Sequence, residues 1–553
     1  MKKRLLFFNL FLFGFVVFAL GQGTFSKVYA LFQQKCISCH NTANPSGGLS
    51  LEGVGSNQVN RESSVHSRIV NANPTTAWAF SGNLKLVTPG RVDKSFLFHK
   101  INRGLDPTLS LPAQAGEAMP QNGSPQLTDA EKELVRQWIL FGAPRLGTPV
   151  DEQIVNNFYN NPGLKSFPGG PPAAPAANEG FQIKMGPFFL NPLGQANDEL
   201  EYFTKYKLDL PANVEINRIE VFMPDYAQQF SLYNFNPGGD LIIPNGFRKE
   251  PDHNSNTNLT VAVQNTRDLK LPQGTAFRWL KDIVLDLNAR FLNISTTKNY
   301  QAEVYLNVYT QPQGTALHEM KTLTFSNENI PIPNTGTEIT HTQILNSGAG
   351  EIFVWGMLGR TRKYGKDYKV YKRENGARGE MIYDASCPLG VPECASPFYD
   401  YRRIPMQYNR PLLPILLNAS NGMIHEAKWI NNGPASVNFG TTSNDELMAL
   451  SVLYTTDTTG VTYTGLKETN PGYIADFVVS PNPFSDYCRI DFSKMEGTLK
   501  WNLLDLNGKI LISGVAQGGS NVQIEKGSLQ PGVYFLKVTD ERSGTKVHKV
   551  MVQ

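Results

Sequence analysis

Two cysteines three positions apart with a histidine directly behind the second, Cys36-Ile37-Ser38-Cys39-His40, constrain this chain more than any other stretch. Thiols at that spacing reach the two vinyl groups of one porphyrin, and the residue that follows offers an imidazole to the iron. The pattern is the attachment signature of a c-type haem. Both sulfurs would then be thioethers and take no part in disulfides. A thioredoxin-like pair or half of a zinc site would use the same two cysteines. Those readings call for a βαβ context or a second nearby pair, and the sequence offers neither. Ahead of the motif, Phe25, Val28, Leu31 and Phe32 recur at helical spacing, which predicts a helix running straight into it.

A haem iron takes a second axial ligand, and the choices in the following stretch are Met119, His66 and His99. Met119 stands in Ala118-Met119-Pro120. Beyond it, Thr128-Asp129-Ala130-Glu131 is a capping box that opens a helix with Leu134, Val135, Trp138 and Ile139 on one face and Gly142 at its end. Met119 is therefore the expected ligand, and His66 and His99 are expected to face solvent. This layout resembles class I cytochrome c, in which a Met-Pro pair precedes a helix with the same Asp-Ala-Glu opening and a Trp-Ile pair. The stretch 87–97 resembles the cytochromes often fused to larger secreted domains. The resemblance implies a small all-α cytochrome module over 22–146.

The two ends of the chain predict export. Lys2, Lys3 and Arg4 precede an apolar run from Leu5 to Leu20 and small residues at Ala19 and Gly21, the layout of a signal peptide over 1–21, removed after about Gly21. The mature chain is then expected to have no transmembrane span, since no second apolar stretch of that length follows. At the other end, period-2 strands separated by Gly and Asn turns describe a small Ig-like β-sandwich. The order "PNPF", "LLDLNGK", "GVYFLKV" and a final "KVMVQ" resembles the C-terminal sorting domain of Bacteroidetes type IX secretion cargo, over 470–553. That resemblance implies the type IX machinery as a partner and the cell surface or the medium as the destination. A formal net charge of +3, from 51 basic and 48 acidic side chains, argues against a nucleic-acid partner.

Between the ends, the Pro/Gly/Ala run at 168–177 predicts a linker over 147–178. Beyond it, short apolar runs at 206–210, 216–221, 283–287, 302–309, 352–355, 368–372 and 448–454 predict two all-β sandwiches, over 179–325 and 326–458, with a second linker at 459–469. The segments 359–384 ("GRTRKYGKDYKVYKRENGARGEMIYD") and 409–454 resemble the copper type II, ascorbate-dependent monooxygenases (peptidylglycine monooxygenase-like). Those enzymes have two jelly-roll-like domains, one holding copper on three histidines, the other on an H-x-H pair and a methionine. The ligand positions depart from that pattern. Arg360-Thr361-Arg362 stands where the H-x-H belongs, and a guanidinium has no lone pair to give a metal. Leu447 takes the methionine's place, with Met448 one residue late, which on a strand is the opposite face. No paired histidines follow Met223-Pro224. The pattern argues against copper; His425, Met448 and His341 are the residual metal candidates, and Arg360 with Arg362 is expected to form an anion-binding or inter-domain salt-bridged patch. Cys387 and Cys394 are expected to pair in an oxidising compartment, leaving Cys488 as a small buried hydrophobe.

These expectations describe an exported haem c protein that transfers electrons to a partner protein or small carrier, or docks a partner, and carries a monooxygenase-like β region stripped of its copper ligands. Two other classes fit the same residues. One is an active oxidoreductase with a rearranged metal site fed by the haem. The other is a surface adhesin or glycan-binding module, since jelly-roll folds host lectins as readily as enzymes.

Overall fold

The computed structural model describes residues 23–224, 226–249, 256–264, 266–347, 350–385, 401, 404, 406–440, 444–462, 477–493, 495, 497–505, 509–540 and 545–553. The expected signal peptide, the Cys387–Cys394 disulfide and the end of the 459–469 linker lie outside these residues. The chain divides into two compact units, Met1–Tyr159 and Asn160–Gln553.

The first unit is helical: α1 (Thr24–Lys35), α2 (Gln58–Ile69), α3 (Ala77–Ser81), α4 (Phe96–Ile101), α5 (Asp129–Leu140) and α6 (Glu152–Asn160). The apolar stripe of α1 is buried at Phe25, Val28, Tyr29 and Phe32, as its spacing requires. At the start of α5 the capping box closes in both directions: Glu131 N–H donates to the Thr128 hydroxyl (3.2 Å) and Thr128 N–H to the Glu131 carboxylate (2.7 Å). The two helices meet where the Phe25 and Trp138 rings lie 5.1 Å apart. Burying each such ring stabilises the unit by roughly 2–3 kcal/mol.

One expectation about this region needs correction: the stretch 147–178 is not all linker. Asp151 accepts from the N–H groups of Gln153 and Ile154 (3.0 and 3.3 Å), and α6 follows with Ile154, Val155 and Phe158 buried. The apolar spacing of those three residues outweighs the Pro/Gly composition of the run after them. Even that run is held down, because Pro172 and Ala173 accept hydrogen bonds from the Gln182 and Asn307 amides (3.0 and 2.9 Å).

Among its described residues the second unit is built of β-strands. Its first part contains β1 (Leu164–Lys165), β2 (Gly180–Leu190), β3 (Glu199–Lys207), β4 (Val214–Phe222), β5 (Ala227–Phe235), β6 (Phe247–Arg248), β7 (Thr257–Val263), β8 (Arg267–Lys270), β9 (Thr275–Trp279), β10 (Val284–Leu292), β11 (Tyr300–Pro312) and β12 (His318–Glu319). A sheet in the order β1-β11-β4-β9-β12, with β2 added on β11 and β8 on β4, accompanies a second in the order β6-β3-β10-β5-β7. The middle part has β13 (Lys321–Ser326), β14 (Glu338–Leu345), β15 (Gly350–Arg360), β16 (Gly365–Glu374), β17 (Ala377–Asp384), β18 (Gln407–Leu417), β19 (Gly422–Ile430) and β20 (Ala449–Thr455). They form two four-stranded sheets, β13-β20-β15-β18 and β14-β19-β16-β17. The last part, β21 (Val478–Ser480) to β27 (Thr545–Val552), makes a three-stranded and a four-stranded sheet around Phe477, Phe484, Cys488, Ile490 and Leu536.

Alternation explains which faces are covered. On β10, Leu285, Leu287, Ala289 and Phe291 are fully buried on one face, while Asp286, Asn288 and Arg290 on the other are buried as well. That polar face is paired within its own sandwich, Asp286 with Arg248, Asn288 with Glu201 (3.0 Å) and Arg290 with Glu199 (2.7 Å). The first two sandwiches touch near β7, where the Thr322 hydroxyl donates to Thr260 O (3.3 Å) and the Gln264 side chain bridges Tyr401 O and Ile404 N–H (2.7 and 2.8 Å). Beyond β20 the chain returns to the first sandwich. Thr462 exchanges two backbone hydrogen bonds with Gln273 (3.0 and 3.1 Å), and Thr459 O meets the His318 ring (2.7 Å).

Candidate functional site

Helix α1 ends at Cys36, and the chain folds into a tight turn in which Cys39 N–H (3.2 Å) and His40 N–H (3.0 Å) both donate to Cys36 O. The turn brings both thiols and the imidazole to one wall of a cavity of about 480 Å³ inside the first unit. His40 is held on two sides. Its carbonyl accepts from Leu51 N–H (2.7 Å), and its Nδ1 lies 3.1 Å from Leu49 O. A carbonyl facing Nδ1 assigns the proton to that nitrogen and leaves the Nε2 lone pair available, the arrangement that a backbone carbonyl imposes on metal-bound histidines.

The surroundings of Cys36 disfavour its thiolate. Burial pushes Cys36 up to about 11, with Cys39 adding to the effect. Cys36 also stands at the C-terminal end of its helix, where the dipole opposes a thiolate, whereas reactive cysteines sit at N-termini or beside cations. Neither sulfur is tied up in a disulfide, so both are available for covalent attachment.

Met119 lines the same cavity, together with apolar side chains that include Phe32, Leu51, Leu86, Leu97 and Val135. Three cations reach it: Lys35, Arg68 and Lys100. Arg68 is fixed by Ser50 O and Glu52 O (2.7 and 3.0 Å). Burial lowers the Lys100 ammonium, against the opposing pull of Glu117. The residues fit a c-type haem by their chemistry. There are two thiols for attachment, an imidazole with a free nitrogen, a soft thioether, apolar walls, and cations able to meet carboxylates. The volume lies within the ~300–1,000 Å³ of cofactor sites.

The alternative ligands are engaged elsewhere, and neither simply faces solvent as expected. His66 Nε2–H donates to Ala143 O (2.8 Å) and the ring stands edge-on to Phe25, with burial pulling its basicity down. His99 is buried between Ser110 O (3.1 Å) and Asp93 O (2.9 Å). Each sits on a helix whose apolar neighbours draw it inward, which overrides its polar character. Sequence reasoning missed Arg68 and Lys100, whose partners are backbone carbonyls far along the chain and leave no trace in local pattern.

The β-region candidates each have a protein partner. His425 is fully buried, with Nδ1 2.6 Å from the Tyr368 hydroxyl and Nε2 2.9 Å from Gln343 Oε1, and burial pushes it down to about 4. His341 bonds Pro331 O (3.1 Å), and Met448 Sδ lies 3.7 Å from the Asn327 amide. Arg360 is buried on the last residue of β15. Arg362 follows it near Glu201 and Arg290 of the first sandwich, and burial lowers its basicity. Its loop is pinned by the buried Glu446, which accepts from Arg362 N–H (2.9 Å), Tyr364 N–H (2.7 Å) and the Trp429 indole (2.9 Å).

Comparison with known proteins bears on the C-terminal part. A family profile described as a secretion system C-terminal sorting domain matches residues 478–553. The chain ends in a type IX sorting domain. It is therefore cargo for export to the cell surface or beyond, and among the described residues no helix is long and apolar enough to cross a membrane. No curated protein matches the chain. Among solved structures it is similar to the major capsid protein P2 of bacteriophage PM2, at 8% identity over 50% of this chain and 97% of that one, with a TM-score of 0.23. It is also similar to a β-glucuronidase of Ruminococcus gnavus, at 11% identity over 42% of this chain and 44% of that one, with a TM-score of 0.16. The chain spans less than half of that enzyme, and likenesses this distant carry no argument about function.

Proposed function

We propose that this exported protein is a c-type haem protein that moves single electrons outside the cytoplasm, to or from a partner protein or a small carrier. The observation that carries the reading is the convergence of Cys36, Cys39, His40 and Met119 on one cavity. Cys36 and Cys39 would hold the ring through thioethers, and His40, oriented by Leu49 O, would offer Nε2 to the iron. Met119 would offer its thioether to the same iron, and the apolar walls would limit the access of water to it. The bound haem supplies a one-electron couple, and a histidine–methionine pair sets its potential high. The β region acts as a docking platform rather than a copper monooxygenase. What supports this is that both ring nitrogens of His425 are taken by Tyr368 and Gln343, and that cations stand at Arg360 and Arg362.

The reduced protein is expected to show sharp c-type bands that survive denaturing electrophoresis, and the oxidised protein a weak near-infrared charge-transfer band from the sulfur. Met119→Ala is expected to keep the haem and lose that band. A variant spectrum identical to wild type would remove Met119 from the iron; a wild-type protein matured with haem available yet carrying none would remove the reading altogether.

A further inference from the structure

The segment that presents Met119 has almost no regular structure of its own, only a three-residue 3₁₀ turn at Ala113–Ala115. Its position must come from elsewhere, and the hydrogen bonds show from where. Lys100 Nζ, at the end of α4, donates to Ala115 O (2.9 Å) and to Glu117 O (2.5 Å), while Lys100 O accepts the N–H of Met119 itself (2.7 Å). Just beyond, Arg103 donates to Pro120 O. One lysine thus grips the loop from both ends of its own structure, by ammonium ahead of Met119 and by carbonyl at it.

The loop is shaped to receive that ammonium. Between the two accepting carbonyls lies Gly116 at φ +76°, ψ 179°, a conformation essentially confined to glycine. A Cβ there would lie 3.3 Å from Lys100 Nζ. Ala115 is buried in one apolar cluster with Ala79, Leu84 and Phe96, the last of these four residues before Lys100, so the first turn of the grip is packed as well as bonded.

We infer that Lys100 is a positioning residue for the sixth iron ligand: its ammonium, clasped by Ala115 O and Glu117 O around Gly116, holds Met119 in the cavity. The inference rests on the haem reading above. It predicts that a competing small ligand reaches the iron at a rate and affinity set by this grip, not by the thioether alone.

The test compares wild type with Lys100→Met, which keeps an unbranched apolar stem and deletes the donors, and with Lys100→Arg, which restores two. In the oxidised haem protein, Lys100→Met is expected to bind imidazole at least about tenfold more tightly, the factor that losing one charge-assisted hydrogen bond corresponds to. Its near-infrared sulfur band should weaken at unchanged haem content, and Lys100→Arg should recover most of both. The Met119 amide should exchange hydrogen about tenfold faster or more in Lys100→Met. Gly116→Ala, which replaces no residue that lines the cavity and disturbs only the seat of the Lys100 ammonium, should move all three readouts the same way, and it decides the matter if Lys100→Met does not mature. Imidazole affinity within twofold of wild type, with an unaltered band and unaltered exchange, overturns the inference. Should wild type bind no haem, the cavity reading fails, while amide exchange at Met119 still decides whether Lys100 holds the loop.

Discussion

The buried imidazole of His425 makes a measurable demand on pH. In the folded chain it is neutral: Nδ1 accepts from the Tyr368 hydroxyl, Nε2–H donates to Gln343 Oε1, and burial pushes it down to about 4. An unfolded chain takes up that proton near pH 6.5. Between about 6.5 and about 4 the unfolded state therefore binds more protons, so stability falls as the pH falls through that window, is level above it and levels off again below. At 1.36 kcal/mol for each pH unit of separation, the full effect is about 3 kcal/mol. His425→Gln offers the same two partners an oxygen and a donor but cannot titrate. Urea unfolding of the second sandwich, followed in the full chain at several pH values, should show wild type losing about 3 kcal/mol more than the variant across the window. Because other carboxylates titrate in the same range, only the difference between the two proteins counts. Parallel pH profiles, or a wild type that gains stability on acidification, would refute the reasoning.

Deleting residues 470–553 is expected to leave a folded, haem-loaded protein in the periplasm and none at the surface, read by fractionation and haem staining; aggregation of the β region on truncation would make the terminal sandwich a structural partner instead. Copper titration of the full chain, by calorimetry and EPR, is expected to reveal no stoichiometric site of submicromolar affinity in the β region. Such a site, lost in His425→Ala or Met448→Ala, would promote the monooxygenase alternative.

What the sequence disclosed and what it withheld follow one physical line. Local rules read well: the apolar stripe of α1, the capping box at Thr128 and Glu131, and the alternation of β10, β11, β15 and β16 all lie where spacing puts them, though most strands are longer than their apolar cores. The sorting domain was legible because several short motifs recur in a fixed order. Features decided by distant partners were hidden. Helix α6 was lost in the composition of the run behind it, and His66 and His99 seemed solvent-facing because the carbonyls that receive them are remote or in loops. For the candidate site, Cys36, Cys39, His40 and Met119 could be named from motif chemistry. The Lys100 grip could not, since lysine at the end of a helix ordinarily serves only the last carbonyls and the dipole.

The return of the chain from β20 to the first sandwich has a mechanical meaning. A protein drawn through a secretion machine or held at a surface by its tail is loaded at the far side of residue 462. That tension meets the Thr462–Gln273 bridge and the Thr459–His318 contact before it reaches β20. Strand β20 lies between β13 and β15, so peeling it would open the second sandwich through its middle. Under such a pull the two backbone bonds at Gln273 would have to part before the register of β20 took the load.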